Sequence, residues 1–417
     1  SKLHPATIPL IPKSRKEFHR LTIRSPRTKR SLVMSFAKSN LQPNLSYLSK
    51  HLMIQRAIIS GGGTGGHIFP AVSIAEALRR RYPSIDILFI GAEGRMEMER
   101  VPQAGFPIRG LKIRGLDRKR PWRNFGVIRD FLRALITARD ILREFQPQIV
   151  IGVGGYASAP TLKAAQSLGI PTLIQEQNSY AGVTNKFLAR RANRICVAYP
   201  DMERFFPKDK IVLTGNPLRP AIEHLSASRE EALREFGLPA DTKQVVLVIG
   251  GSLGARSINE GIGSQLQAWA DSGVALIWQT GKGFEAKAKE LLKGYDFSVY
   301  CSAFIQRMDL AYTLADVVVS RAGASSISEL CQLGKASILV PSPNVAEDHQ
   351  TKNALALSSR SAAILLPDAE ALTQLTPRAL ALVHDTTQCQ TLREEIRKLA
   401  LPSAAEKIVD EIELLVK

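Results

Sequence analysis

The chain has 417 residues, 45% of them hydrophobic, and a formal net charge of +18, which is enough length and apolar content for two domains with full cores and excludes a mostly disordered protein. Its longest apolar runs, such as 245–249 (VVLVI), fall far short of the roughly 20 residues that cross a bilayer, so any membrane contact is expected to be peripheral. Four scattered cysteines, Cys196, Cys301, Cys331 and Cys389, make no C-x-x-C pair, which argues against a disulfide framework or a structural zinc site and for a reducing compartment.

Residues 1–53 hold 11 of the 56 Lys and Arg and one acid, Glu17, leaving only +8 for the rest of the chain. This basic, Ser- and Pro-rich leader is expected to be disordered, resembling either an organelle transit peptide or a non-native extension. From residue 54, short apolar runs at 57–59, 85–90, 149–153, 172–174, 194–198 and 211–213 alternate with helix-periodic stretches, the pattern of a parallel sheet covered on both faces. The first helix is expected over 70–81, opening on Pro70 with Ala71, Ile74, Ala75 and Leu78 on one face. The series ends near Gly215-Asn216-Pro217, and a polar helix at 228–236 leads to a second series of strands at 244–249, 275–279, 298–303, 316–319, 337–340 and 362–366. The expected fold is therefore α/β, with two Rossmann-like doubly wound domains facing a cleft: 54–218, completed by an amphipathic C-terminal helix within 403–417, and 219–402.

Both halves open on strand, glycine turn and helix: AIISGGGTGG (57–66) and VLVIGGSLGA (246–255). Such a turn offers backbone N–H groups and the positive end of a helix dipole to phosphate, or serves only as a tight turn. Gly61, Gly63 and Gly66 also fit G-x-G-x-x-G with Glu93 as ribose acceptor, which keeps an NAD-dependent oxidoreductase open. A triphosphate P-loop fits worse, because His67 follows Gly66 and no Lys-Ser/Thr pair does. In the second half, DVVVSRAGASSISELCQLGKASILVPSP (316–343) reads as strand, turn, helix and strand, with Ala324, Ser325 and Ser326 at the helix entry and Glu329 inside it. That turn suits a pyrophosphate and Glu329 the ribose hydroxyls, while His349, Gln350 and Asn353 after the next strand suit sugar hydroxyls.

These segments, with GGTGGH (62–67), GGYAS (154–158), QEQN (175–178), TGNPLR (214–219) and GGSLGAR (250–256), resemble the MurG family of bacterial peptidoglycan glycosyltransferases, in order from about Met53 to the C-terminus. The resemblance implies a GT-B enzyme that moves GlcNAc from UDP-GlcNAc to lipid I, the undecaprenyl-diphospho-muramoyl-pentapeptide, with inversion, giving lipid II and UDP. It implies UDP-GlcNAc contacts from Thr64, Gly65, Gly66, Asn178, Arg219, Ser252, Ile305, Ala324, Ser325, Ser326, Glu329 and Gln350. Gly61, Gly62, Gly63, Gly154, Gly155 and Tyr156 are placed on the acceptor side. Gln175 stands where the family often has His, and Leu253 where it has Gln; the first makes a catalytic role at 175 unexpected. Another GT-B enzyme making glycolipids and a non-catalytic nucleotide-sugar binder are the alternatives.

An inverting transfer needs a base, for which His67 and Glu176 are the candidates, each also readable as a structural partner. It also needs cationic or helix N-terminal help for departing UDP, assigned to Arg219 and the loop 250–254. No D-x-D motif is evident, so no cofactor is expected, with Mg²⁺ left open. The basic stretch 109–145, with Trp122, Phe125, Val127, Ile128, Phe131, Leu132 and Leu135 interleaved, is either an ordinary solvated helix pair or a patch for an anionic lipid surface. No nucleic-acid module is recognisable. Cell-wall synthesis and division proteins are further implied partners, at the cytoplasmic face of the inner membrane.

Overall fold

The computed structural model describes residues 54–63, 65–114, 125–251, 254–345 and 348–416. The leader, the tryptophan-bearing part of the basic stretch, Thr64 and Ser252 lie outside the described residues. Two parallel sheets lie within one compact unit. The first comprises β1 (Arg56–Ser60), β2 (Asp86–Ala92), β3 (Ile108–Leu111), β4 (Ile149–Gly152), β5 (Thr172–Glu176), β6 (Arg194–Val197) and β7 (Ile211–Leu213). Their order in the sheet is β3-β2-β1-β4-β5-β6-β7. The second comprises β8 (Val245–Ile249), β9 (Ala275–Gln279), β10 (Val299–Ser302), β11 (Val317–Ser320), β12 (Ala336–Leu339) and β13 (Ile364–Leu365), in the order β10-β9-β8-β11-β12-β13.

The central strands are apolar throughout because helices cover both faces. Ile58, Val150 and Ile174 face one core of the first sheet, and Ile59, Ile151 and Leu173 the other. Leu247 and Val248 split between the two cores of the second sheet in the same way. The order of each sheet reverses once, between β1 and β4 and between β8 and β11. The crevice beyond the carboxyl ends of strands at such a reversal is where open α/β sheets bind ligands. The segments GGTGGH and GGYAS follow β1 and β4, while GGSLGA and RAGASS follow β8 and β11. All four segments thus lie at the two reversal points.

Two local expectations change. The first helix runs Gly65–Arg81 with Pro70 inside it; only one intrahelical donor is lost there, so the glycine segment winds up five residues earlier than the proline suggests. β3 falls in a stretch expected to be helical, and it forms an edge strand (IRGL) paired to β2 from Phe89↔Ile108 to Ala92↔Leu111. The C-terminal helix Ala404–Val416 packs on Gly65–Arg81, burying Ile408, Val409 and Ile412 in the core of the first sheet. Burial of each such side chain contributes about 1.5–3 kcal/mol. The accompanying surface pairs Arg80–Glu406 and Arg81–Asp410 each contribute at most about 1 kcal/mol.

Candidate active site

The turn after β1 is locked to the turn after β4. Gly62 N–H donates to Gly154 O at 3.3 Å, and Gly155, at φ +89°, has no room for a side chain: a Cβ there would lie 2.3 Å from Gly62 O. Glu97, buried at the start of the helix Glu97–Gln103, closes the turn from the other side. Its Oε2 accepts from Gly63 N–H at 2.8 Å and its Oε1 from Ala92 N–H at 3.0 Å. Gly61 N–H points to Ile90 O at 3.4 Å. The three N–H groups expected to face an acceptor diphosphate therefore have protein acceptors. Among the described residues of the turn, the donors left for an anion are those of the helix's first turn at Gly65 and Gly66, which have no intrahelical acceptor by position.

His67 stands in that first turn, half-buried. Its Nδ1 lies 3.0 Å from Gly62 O; a carbonyl only accepts, so Nδ1 carries the proton and Nε2 is the basic nitrogen. Nε2 faces Gly154, where a Cβ would come within 2.9 Å of it. Burial, the largest influence, draws the His67 pKa below its ordinary 6.5, assisted by His349. Glu176, the Gly62 carbonyl and Glu97 pull the other way.

Glu176, the other base candidate, sits at the end of β5 fully engaged. Oε1 accepts from Asn178 N–H (3.0 Å) and Asn178 Nδ2 (3.3 Å), and Oε2 from Gly182 N–H (3.0 Å) and Asn185 Nδ2 (2.8 Å). Four donors on two buried oxygens hold the loop after β5 in shape. Gln175 is buried too, donating to Asn216 Oδ1 at 2.9 Å.

Asn353 is fully buried rather than presented to a sugar. Its Oδ1 accepts from Ser179 N–H (3.1 Å) and Ser179 Oγ (2.8 Å), and its Nδ2 donates to Asn178 Oδ1 (3.2 Å). It therefore ties the helix His349–Ser358 of the second half to the β5 loop of the first.

Across the cleft, the helix Ala324–Leu333 begins after β11 and touches Gly65–Arg81. Ser325 and Ser326 lie half-buried in its first turn beside buried Ala324, and Ser325 Oγ is enclosed without a hydrogen-bond partner among the described residues. Glu329, one turn on, accepts from Arg219 Nη2 at 3.0 Å through Oε1 and from Tyr312 Oη at 2.9 Å through Oε2. Burial and then the Glu329 charge push the Tyr312 phenol well above its usual range, so it stays a donor. Arg219 also lies over the Phe69 ring at 5.3 Å, and its Nε is buried without a partner among the described residues. The two residues assigned separately to diphosphate and ribose thus meet each other. Ile305 N–H donates to Gln279 Oε1 at 3.0 Å, and Gln279 Nε2 donates to Gly251 O at 3.1 Å, so one buried amide joins the loops after β8 and β10. Gln350 Oε1 accepts from Ser342 N–H at 2.9 Å, and Tyr156 is exposed at the rim.

Glu97, Tyr312, Gln279 and Asn216 were not singled out by sequence as site residues. An acid in the first turn of a helix following β2 was the only available signal for Glu97; Tyr312 reads as one more apolar helix position. Two doubly wound sheets whose reversal points face each other, one with a half-buried histidine and the other with a helix N-terminus and a carboxylate one turn on, are the GT-B arrangement found in glycosyltransferases.

Residues 57–197 match the glycosyltransferase family 28 N-terminal domain and residues 245–408 its C-terminal domain. A UDP-N-acetylglucosamine--N-acetylmuramyl-(pentapeptide) pyrophosphoryl-undecaprenol N-acetylglucosamine transferase of Porphyromonas gingivalis is 62% identical over 87% of this chain and 96% of its own. One of the same name from Christiangramia forsetii is 49% identical over 87% and 98%. The crystal structure of Acinetobacter baumannii MurG superposes with a TM-score of 0.67 at 27% identity, over 86% of this chain and 99% of that one. A UDP-GlcNAc 2-epimerase of Neisseria meningitidis, 14% identical with a TM-score of 0.60 over 87% and 100%, shares the fold. The chain belongs to the MurG family of glycosyltransferase family 28.

Proposed function

We propose that this protein transfers GlcNAc from UDP-GlcNAc to the muramoyl hydroxyl of lipid I, forming lipid II and UDP with inversion. The observation that carries the reading is the 62% identity, over 96% of its length, to a transferase named for this reaction. The acceptor hydroxyl attacks the anomeric carbon, its proton passes to His67 Nε2, and the bond to phosphate breaks with its electron pair leaving on UDP. Arg219 and the first turn of Ala324–Leu333 receive the diphosphate charge, with Ser325 Oγ as an added donor. Glu329, held by Tyr312, takes the ribose hydroxyls, which displace Arg219 toward the phosphates. Glu176 positions Asn178 and the β5 loop. Gly65 and Gly66 offer their backbone N–H groups to UDP-GlcNAc from the acceptor domain, with Gly154, Gly155 and Gly61–Gly63 as the backbone frame of the acceptor side.

The enzyme works at a membrane surface, in this reading the cytoplasmic face of the inner membrane. Among the described residues no helix is long and apolar enough to span a bilayer. The helix Phe125–Phe145 instead exposes Ile128, Leu132 and Ile136 at 61%, 53% and 63%, one turn apart, with Arg129 and Arg133 exposed beside them. An apolar stripe edged by guanidinium groups suits anionic lipid. Flotation with anionic vesicles is expected for the native chain and lost in the Ile128→Ser, Leu132→Ser, Ile136→Ser triple variant; equal flotation of both contradicts the assignment to this stripe, and no flotation of the native chain contradicts membrane binding. The reaction itself is tested with radiolabelled UDP-GlcNAc and a short-chain lipid I analogue, with UDP-glucose alongside. Label in the lipid from UDP-GlcNAc alone is expected; none, with folded protein, contradicts the reading.

A further inference from the structure

A cavity of about 360 Å³ lies away from the Glu329 carboxylate, at the seam between the two halves. Its walls come from the segment after β6 (Tyr199, Arg204), the linker (Leu218), the helix Ala324–Leu333 (Ile327, Cys331) and the helix His349–Ser358 (Leu357). The volume falls in the range of small-molecule sites, roughly 300–1,000 Å³. Two features define what it accepts. Leu218, Ile327 and Leu357 make part of its wall apolar. The charged residues lining it are Arg204, Arg360 and Lys398 against one acid, Asp201; Arg204 also donates to Ser179 O and Lys398 to Glu395, while Arg360 is exposed at the rim. Burial holds the Tyr199 phenol, whose oxygen is sealed within the wall, in its protonated form and pushes the Cys331 thiol up to about 12, so neither brings negative charge to the cavity.

We infer that this cavity is a second ligand site, separate from the transfer site, for a small amphipathic anion. The apolar body lies against Ile327, Leu357 and Leu218, and the anionic group meets Arg204 and Arg360. The cavity borders the machinery at Asn216 and Ser328, both of which line it: Ser328 accepts from Asn216 Nδ2 at 2.9 Å, while the adjacent Glu329 faces Arg219 and Tyr312.

The test is fluorescence titration of the full chain with 8-anilinonaphthalene-1-sulfonate, an aromatic amphipathic anion, with competition by octanoate and by 1-octanol. One saturable site is expected, retained in saturating UDP and displaced by octanoate but not by 1-octanol at the same concentration. Arg360→Glu, on an exposed side chain, and Ala356→Trp, filling a half-buried lining position, should each weaken binding at least about tenfold, the effect of losing one good charged contact or most of the space. Complete displacement by UDP would place the dye in the transfer site and overturn the inference. So would unchanged affinity in Arg360→Glu with native melting behaviour, equal competition by octanoate and 1-octanol, or absence of saturable binding.

Discussion

The turn after β1 and the turn after β11 start from the same recipe, a buried strand, a glycine and a helix, yet they use their polar groups in opposite ways. The first is closed on itself: Gly61, Gly62 and Gly63 donate to Ile90 O, Gly154 O and Glu97, and His67 is clamped to Gly62 O. The second is held by side chains, one of them a partly exposed arginine: Glu329 by Arg219 and Tyr312, with Ser325 Oγ enclosed and unpaired among the described residues. A closed turn fixes one side chain in one tautomer, as proton transfer requires. A turn with exchangeable ion-pair partners can trade them for a ligand's hydroxyls and phosphates. Glycine content therefore reports the space available to the backbone, and the neighbouring acids decide the role.

The largest effect should come from the closed side. His67→Ala is expected to lower kcat by at least about a hundredfold, the low end of general acid-base catalysis, with UDP-GlcNAc affinity retained. Because burial lowers the His67 pKa, the acid limb of kcat/KM should have an apparent pKa below the ordinary 6.5 and vanish in the variant; an unchanged limb assigns the proton elsewhere. The same shift carries a stability consequence. The neutral imidazole favoured by the fold contributes fully above pH 6.5, and that contribution is lost as pH falls through the folded value.

On the exchangeable side, Glu329→Ala should raise KM for UDP-GlcNAc about 10- to 100-fold, as expected for losing hydrogen bonds to a charged group. A variant with native KM would remove Glu329 from the ribose. Tyr312→Phe leaves the carboxylate in place but unheld, and about a five- to tenfold rise in KM with little change in kcat is expected. The smallest effect belongs to the pin between the halves. Asn353→Ala strands the Ser179 donors and should cost about 1–3 kcal/mol of stability by denaturant unfolding; a value near zero would show that the seam relaxes around it.

Much of the fold was legible because strands buried on both faces are short, apolar and bounded by Gly and Pro. β3 was hidden because an edge strand tolerates Arg109 and Gly110, which look like part of the basic stretch that follows. The reversal of strand order has no local signature, so the convergence of GGTGGH on GGYAS appears only in three dimensions. At the site, residue types at the right spacing singled out Glu329 and Ser325 as candidates, and Asn353 as a sugar contact where the structure instead makes it a pin to Ser179, 174 residues away. Glu97 and Tyr312 act through groups 34 and 17 residues away; a first-turn acid is the one local sign of Glu97, and Tyr312 reads as an apolar helix position.

The division of labour between the halves is tested most directly by calorimetric titration of UDP-GlcNAc into His67→Ala and Glu329→Ala, paired with transfer rates on the lipid I analogue. The expected result is native binding with lost transfer in His67→Ala and lost binding in Glu329→Ala. Loss of UDP-GlcNAc binding in His67→Ala, or native binding in Glu329→Ala, would contradict the account.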